Sequence, residues 1–97
     1  MEYHVYVLEC IAKTGSTTVH VGIAKDVWRR LEDHKSGKVK ATRGRQIKCL
    51  GYSAPLPHGE ALMQEAKLKT QTAQQKRAWA SIQLYSKLIK YAWGESS

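Results

Sequence analysis

Hydrophobic and polar positions alternate over residues 3–10, YHVYVLEC, with Tyr3, Val5 and Val7 on one side and His4, Tyr6, Leu8 and Cys10 on the other. A period of two marks a strand, because successive side chains leave an extended backbone on opposite faces. The pattern lapses over residues 11–17, where Lys13, Thr14, Gly15 and Ser16 supply turn chemistry. It resumes with Val19, Val21 and Ile23 alternating against Thr18, His20 and Gly22. These signals predict an antiparallel hairpin whose second strand has one apolar and one polar face. A loop centred near Thr14 puts even-numbered residues of both strands on one side, so Tyr6 and His20 look the same way, paired or diagonal.

The period then lengthens. Asp26 is placed to cap a helix in which Val27 and Leu31 share one face while Arg30 and His34, also four apart, share a neighbouring polar face. Ser36-Gly37 stops it. Residues 47–54, IKCLGYSA, make a looser third strand, interrupted by Gly51 and closed by Pro55 and Pro57. His58-Gly59 lead into a second helix, EALMQEAKLK, with Ala61, Leu62, Glu65 and Leu68 on one stripe. A carboxylate between leucines needs a cation, and either a Lys or Arg partner or a metal ion meets that need at Glu65. Thr72 can cap a last helix over residues 73–92, with Trp79, Ile82, Tyr85, Leu88, Ile89, Ala92 and Trp93 on a 3.6-residue repeat. Its second half, Tyr85 to Trp93, is a surface for a second subunit or a nucleic-acid base, and residues 94–97 form a tail.

Length allows one domain with a small core in 97 residues. Charge narrows the partner. Sixteen Lys and Arg against eight Asp and Glu leave a net +8, which favours a polyanion, nucleic acid before an anionic membrane surface. No stretch approaches the roughly 20 apolar residues of a spanning helix, and MEYHVYVLEC lacks the basic start of a signal peptide. Cys10 and Cys49 form no CxxC pair and read as free thiols in a reducing cytoplasm. The cations concentrate in Lys35, Lys38, Lys40, Arg43, Arg45 and Lys48, a stretch without an acid that reads as a basic loop for phosphate contact.

Tyr6, His20, Arg30, His34 and Glu65 together offer what phosphodiester hydrolysis needs. A carboxylate can hold a hard divalent cation, an arginine can stabilise phosphoryl charge, and a group titrating near neutrality can take a proton from water. Zinc on Cys10, His20, His34 and Cys49 has the right ligand types but none of the short paired spacings. A phosphate-binding GxxxxGK[ST] loop, a GxGxxG turn and serine or cysteine hydrolase motifs are absent.

Taken in order, Tyr6 in HVY, His20 to Gly22 in HVG, then IAKDVWRRLEDHKSGK, ATRGR and EALMQEAKLK resemble the GIY-YIG nuclease domain, most of all its small stand-alone bacterial type. The resemblance runs over about residues 3–80, which makes residues 1–80 the nuclease domain and residues 81–97 an extension of it. It implies an α/β fold, a compact sandwich with a three-stranded antiparallel sheet flanked by helices. It also implies DNA cleavage dependent on one Mg²⁺ or Mn²⁺. Tyr6 matches the tyrosine of the first tripeptide and Gly22 the closing glycine of the second. Arg30 matches the helix arginine at the scissile phosphate, His34 a histidine four residues on in some members, and Glu65 the metal-binding glutamate.

Two positions depart from the family pattern. His4 stands where the first tripeptide begins with glycine, and His20 replaces the tyrosine usually assigned to activating water. An ordinary histidine pKa of about 6.5, against about 10 for a phenol, suits His20 to the same task. The expectation is therefore a DNA endonuclease with Glu65 on the metal, His20 or Tyr6 as base, and Arg30 and His34 on the phosphate. The basic residues would bind backbone. The competing expectation is a non-catalytic nucleic-acid-binding module, or a subunit of a larger nuclease or repair assembly.

Overall fold

The computed structural model describes residues 1–83. In chain order they form β1 (Glu2–Ile11), β2 (Thr17–Ala24), α1 (Val27–Lys35), a single 3₁₀ turn (Lys40–Thr42), β3 (Gln46–Tyr52), β4 (Leu56–Pro57), α2 (His58–Lys69) and α3 (Ala73–Ser81). The sheet is antiparallel, ordered β2-β1-β3, with β4 pairing the start of β1. The α/β sandwich expected from the resemblance is the observed architecture.

β1 lies at the centre because both of its faces are apolar. Val5, Tyr6, Val7 and Leu8 are consecutive and all buried, the pattern of a strand covered on both sides. Tyr6, Leu8 and Cys10 pack with Val27 and Leu31 of α1 and with Ile47, Cys49 and Tyr52 of β3. Val5, Val7 and Val21 pack on the other face against Ala61 and Leu68 of α2 and Ala80 of α3. Each fully buried aliphatic side chain contributes on the order of 1.5–3 kcal/mol.

Local chemistry accounts for the helix ends. Asp26 Oδ1 accepts from Arg29 N at 3.1 Å and caps α1. At the other end Gly37, at φ +82°, donates to His34 O at 3.3 Å while Lys38 N donates to Asp33 O at 3.0 Å. This pair of bonds is a Schellman turn, and its left-handed residue suits a glycine. It reverses the chain so that the 3₁₀ turn comes back over the end of α1. Thr72 and Gln75 form a reciprocal capping box at the start of α3.

Four expectations require correction. The second strand has no simple polar face, since Gly22 is buried and His20 half-buried. β3 ends at Tyr52 rather than residue 54, after a bulge at which Val7 pairs Gly51 and Leu8 pairs Cys49; Pro55 then precedes a two-residue strand, Leu56–Pro57, that the alternation could not reveal. Leu62 is 44 % exposed, and the buried stripe of α2 is Ala61 and Leu68. α3 stops at Ser81, leaving Ile82 80 % exposed, so the predicted helix does not run unbroken through Gln83. The aromatic surface expected at Tyr85 to Trp93 and the tail at residues 94–97 lie outside the described residues.

Candidate functional site

Tyr6 and Gly22 are opposite each other in the β1–β2 ladder. The phenol lies so close over Gly22 that a Cβ there would overlap the Tyr6 ring and hydroxyl. The glycine therefore lets a tyrosine on the central strand lay its ring across its neighbour and carry its hydroxyl outward over β2. There it meets α1, with Tyr6 Oη and His34 Nε2 3.0 Å apart. On the far side of the same imidazole, Nδ1 stands 2.8 Å from Thr42 Oγ1 of the 3₁₀ turn.

His34 is 1 % exposed, which corrects the placement of this residue on a polar helix face beside Arg30. Val27, Leu31 and His34 all face the core, because positions i, i+4 and i+7 form one stripe of a helix. Burial is the main reason its pKa falls from 6.5 to about 4, with help from the neighbouring His20 and Arg30 and opposition from Asp33. The ring is neutral at neutral pH.

His20 stands diagonal to Tyr6, two residues along the ladder, with ring centroids 6.3 Å apart and 5.1 Å between His20 and His34. Burial lowers the His20 pKa, as do the charges of Lys69, Arg30 and Lys76, while Glu65 raises it. Burial raises the Tyr6 pKa, Arg30 opposes through a hydrogen bond and its charge, and Glu65 and Cys49 add to the rise. Arg30 and Glu65 thus both act on the same tyrosine, one from α1 and one from the helix layer across the sheet. β2 is an outer strand of the sheet. A cleft of about 370 Å³ opens beside Arg30, bounded by Lys25, Asp26, Arg29 and Asp33.

Glu65 is 18 % exposed at its side chain and pairs with Lys69 at 3.4 Å. The partner demanded by its position is therefore at least in part a lysine one turn along, an i, i+4 relation legible in the sequence. A cation is compatible with this donor set. Among the described residues no group of three or more His, Cys, Asp or Glu gathers to hold a metal ion, which disfavours zinc on Cys10, His20, His34 and Cys49. One carboxylate suits Mg²⁺ or Mn²⁺, hard cations that keep several waters and use substrate phosphate oxygens.

Comparison with known proteins settles the family. The model of the GIY-YIG catalytic domain matches residues 2–78. The chain belongs to the GIY-YIG family. A UPF0213 protein of Cupriavidus necator is 40 % identical over 81 residues, covering 81 % of this chain and 84 % of that one. YhbQ of Escherichia coli, also a UPF0213 protein, is 38 % identical over 68 residues, 68 % of each chain. The solution structure of the UPF0213 protein BH0048 from Bacillus halodurans superposes with a TM-score of 0.50 at 33 % identity, covering 93 % of this chain and 96 % of that one. The GIY-YIG family is a nuclease family.

The basic stretch is not the continuous loop expected of it. Lys35 closes α1, Lys40 begins the 3₁₀ turn and Lys48 lies within β3. Nor is it unopposed, since Asp33 of α1 stands 3.9 Å from Lys38 and from Arg30. Arg43 Nε donates to Gly37 O at 2.8 Å and Arg45 Nη1 to Thr18 Oγ1 at 3.1 Å, so both arginines also brace the turn. Sequence reading missed Thr42, which lies inside the quoted ATRGR and carries no signal of its own.

Proposed function

We propose that this GIY-YIG protein is a metal-dependent endonuclease that hydrolyses DNA phosphodiester bonds, acting in the cytoplasm. The observation that carries the reading is the 3.0 Å contact between the Tyr6 hydroxyl and a buried, neutral His34, with Arg30, His20 and Glu65 acting on the same pair. Mg²⁺ or Mn²⁺ held by Glu65 supplies positive charge to the scissile phosphate when bound.

The residues of the chain do the rest. Tyr6 is a phenol at neutral pH, since burial holds its pKa above the ordinary 10.0. It serves as a base by accepting the proton of the attacking water on oxygen while its own proton passes to His34 Nε2. The imidazolium so formed is costly in a buried setting, which favours return of the proton once the bond is cut. His20 is the second candidate base, neutral at pH 7 because its pKa is lowered. Arg30 stabilises the phosphoryl oxygens. His34 is a positioning and proton-accepting residue behind Tyr6 rather than a phosphate contact, in keeping with its burial. Lys35, Lys38, Lys40, Arg43, Arg45 and Lys48 bind backbone away from the scissile bond.

The test is incubation of the protein with supercoiled, single-stranded, nicked and branched DNA in Mg²⁺, Mn²⁺ or EDTA. Glu65→Ala is expected to abolish metal-dependent cutting and leave binding largely intact. Tyr6→Phe should cost about 10²–10⁴-fold in rate if Tyr6 is the base, and His20→Ala the same if histidine has taken that role. Binding without cutting on every substrate would instead favour a non-catalytic module, a reading that the Lys69 contact to Glu65 and the histidine at position 20 support.

A further inference from the structure

Thr42 is 1 % exposed and belongs to no strand or long helix. Its hydroxyl lies 2.8 Å from His34 Nδ1 and donates to Val39 O at 3.4 Å. With that proton on the carbonyl, the hydroxyl has only lone pairs to offer the ring, an arrangement that favours the imidazole proton on Nδ1. On the opposite side of the ring, Tyr6 Oη lies 3.0 Å from Nε2, so a ring that carries its proton on Nδ1 accepts the phenol proton there.

We infer that Thr42 is a positioning residue that holds His34 as the Nδ1–H tautomer and so keeps Nε2 open for the Tyr6 proton. The turn that carries it also carries Lys40, with Lys38 and Arg43 beside it, and Arg43 ties it to the end of α1 through Gly37 O. One structural element thus presents cations to a polyanion and sets the proton acceptor behind Tyr6. The consequence for activity rests on the nuclease reading, whereas the tautomer does not.

The experiment is ¹⁵N-histidine NMR of the full chain without DNA or metal, with His34 assigned by its loss in His34→Gln, followed by steady-state cleavage. The wild type should show His34 protonated at Nδ1 alone. Thr42→Val should lose that pattern and lower kcat by about 10–100-fold with KM changed less than about twofold, and Thr42→Ser should restore both to within about threefold. A wild-type His34 protonated at Nε2 overturns the inference, even if Thr42→Val fails to fold. So does a folded Thr42→Val that keeps the Nδ1–H signature. A wild type that cuts nothing yet shows the signature, lost in Thr42→Val, overturns the nuclease reading and supports the assignment of Thr42.

Discussion

The two faces of the central sheet are buried to a similar degree by different chemistry. Against α2 and α3 lie Val5, Val7, Val21, Ala61, Leu68 and Ala80, a hydrocarbon cluster with an ion pair between Glu9 and Arg77 part-buried at that face. Against α1 the interior also holds Tyr6, His34 and Thr42 in one hydrogen-bonded line. A buried polar group is tolerated only when paired, and an unpaired one costs about 1–3 kcal/mol. The first face stabilises the fold at little risk, whereas the second accepts a polar network whose every member must be satisfied and gains reactive groups in a dry, fixed geometry.

That contrast can be broken from either side. The largest expected effect is at Leu68, fully buried on the hydrocarbon face, where Leu68→Ala should lower unfolding free energy by about 2–5 kcal/mol in urea denaturation. The folded fraction should keep its DNA cleavage rate. Next comes pH. His34 has a folded pKa of about 4 against 6.5 unfolded, so the unfolded chain takes up the proton first. Its contribution is full above about pH 6.5 and declines as pH falls toward 4, by roughly 3 kcal/mol in all. The lowered pKa of His20 acts in the same direction. Replacing His34 by Gln should flatten stability against pH over that window, as read by urea midpoints at pH 7 and pH 4.5. No flattening would mean that the polar face does not bear this proton-linked cost.

A smaller effect on stability, with a larger one on activity, is expected at Gly22. Its added methyl in Gly22→Ala would meet the Tyr6 ring, which is buried and cannot swing clear. Overpacking of this kind costs about 1–3 kcal/mol, and displacement of the hydroxyl should slow cleavage more than tenfold, by about the cost of one mispositioned catalytic group. The smallest effect belongs outside both faces. Lys40→Ala on the exposed turn should leave stability unchanged and reduce the salt dependence of DNA binding by about one phosphate contact, a slope change of about 0.9.

Much of the hydrocarbon face was legible from alternation alone. Val5, Val7 and Val21 are odd-numbered members of two strands joined by a short turn, and that parity placed them together. The same parity correctly put Tyr6 with His20. It failed at His34, because a histidine on a helix that also bears Arg30 reads as solvated, and only the return of the chain over α1 covers it. It also failed at Thr42, an ordinary residue among cations, and at Leu56 and Pro57, whose pairing with Glu2 and Tyr3 spans more than 50 residues. Lys69 was within reach of the sequence, four residues beyond Glu65.

What the sequence determined by itself was β1, β2 and the core of β3, the starts of the helices with the caps at Asp26 and Thr72, and the membership of the GIY-YIG family through an ordered series of short motifs. Those features depend on local periodicity and on single residues such as Asp26, Gly37 and Thr72, whose preferences act within a few positions of the chain. Only the tertiary structure decided which polar groups are buried and which bond to which. Tyr6, His34 and Thr42 come from a strand, a helix and a turn, and Glu65 from a helix across the sheet. Their pKa values and proton positions arise from desolvation and contacts that exist only once those elements have packed.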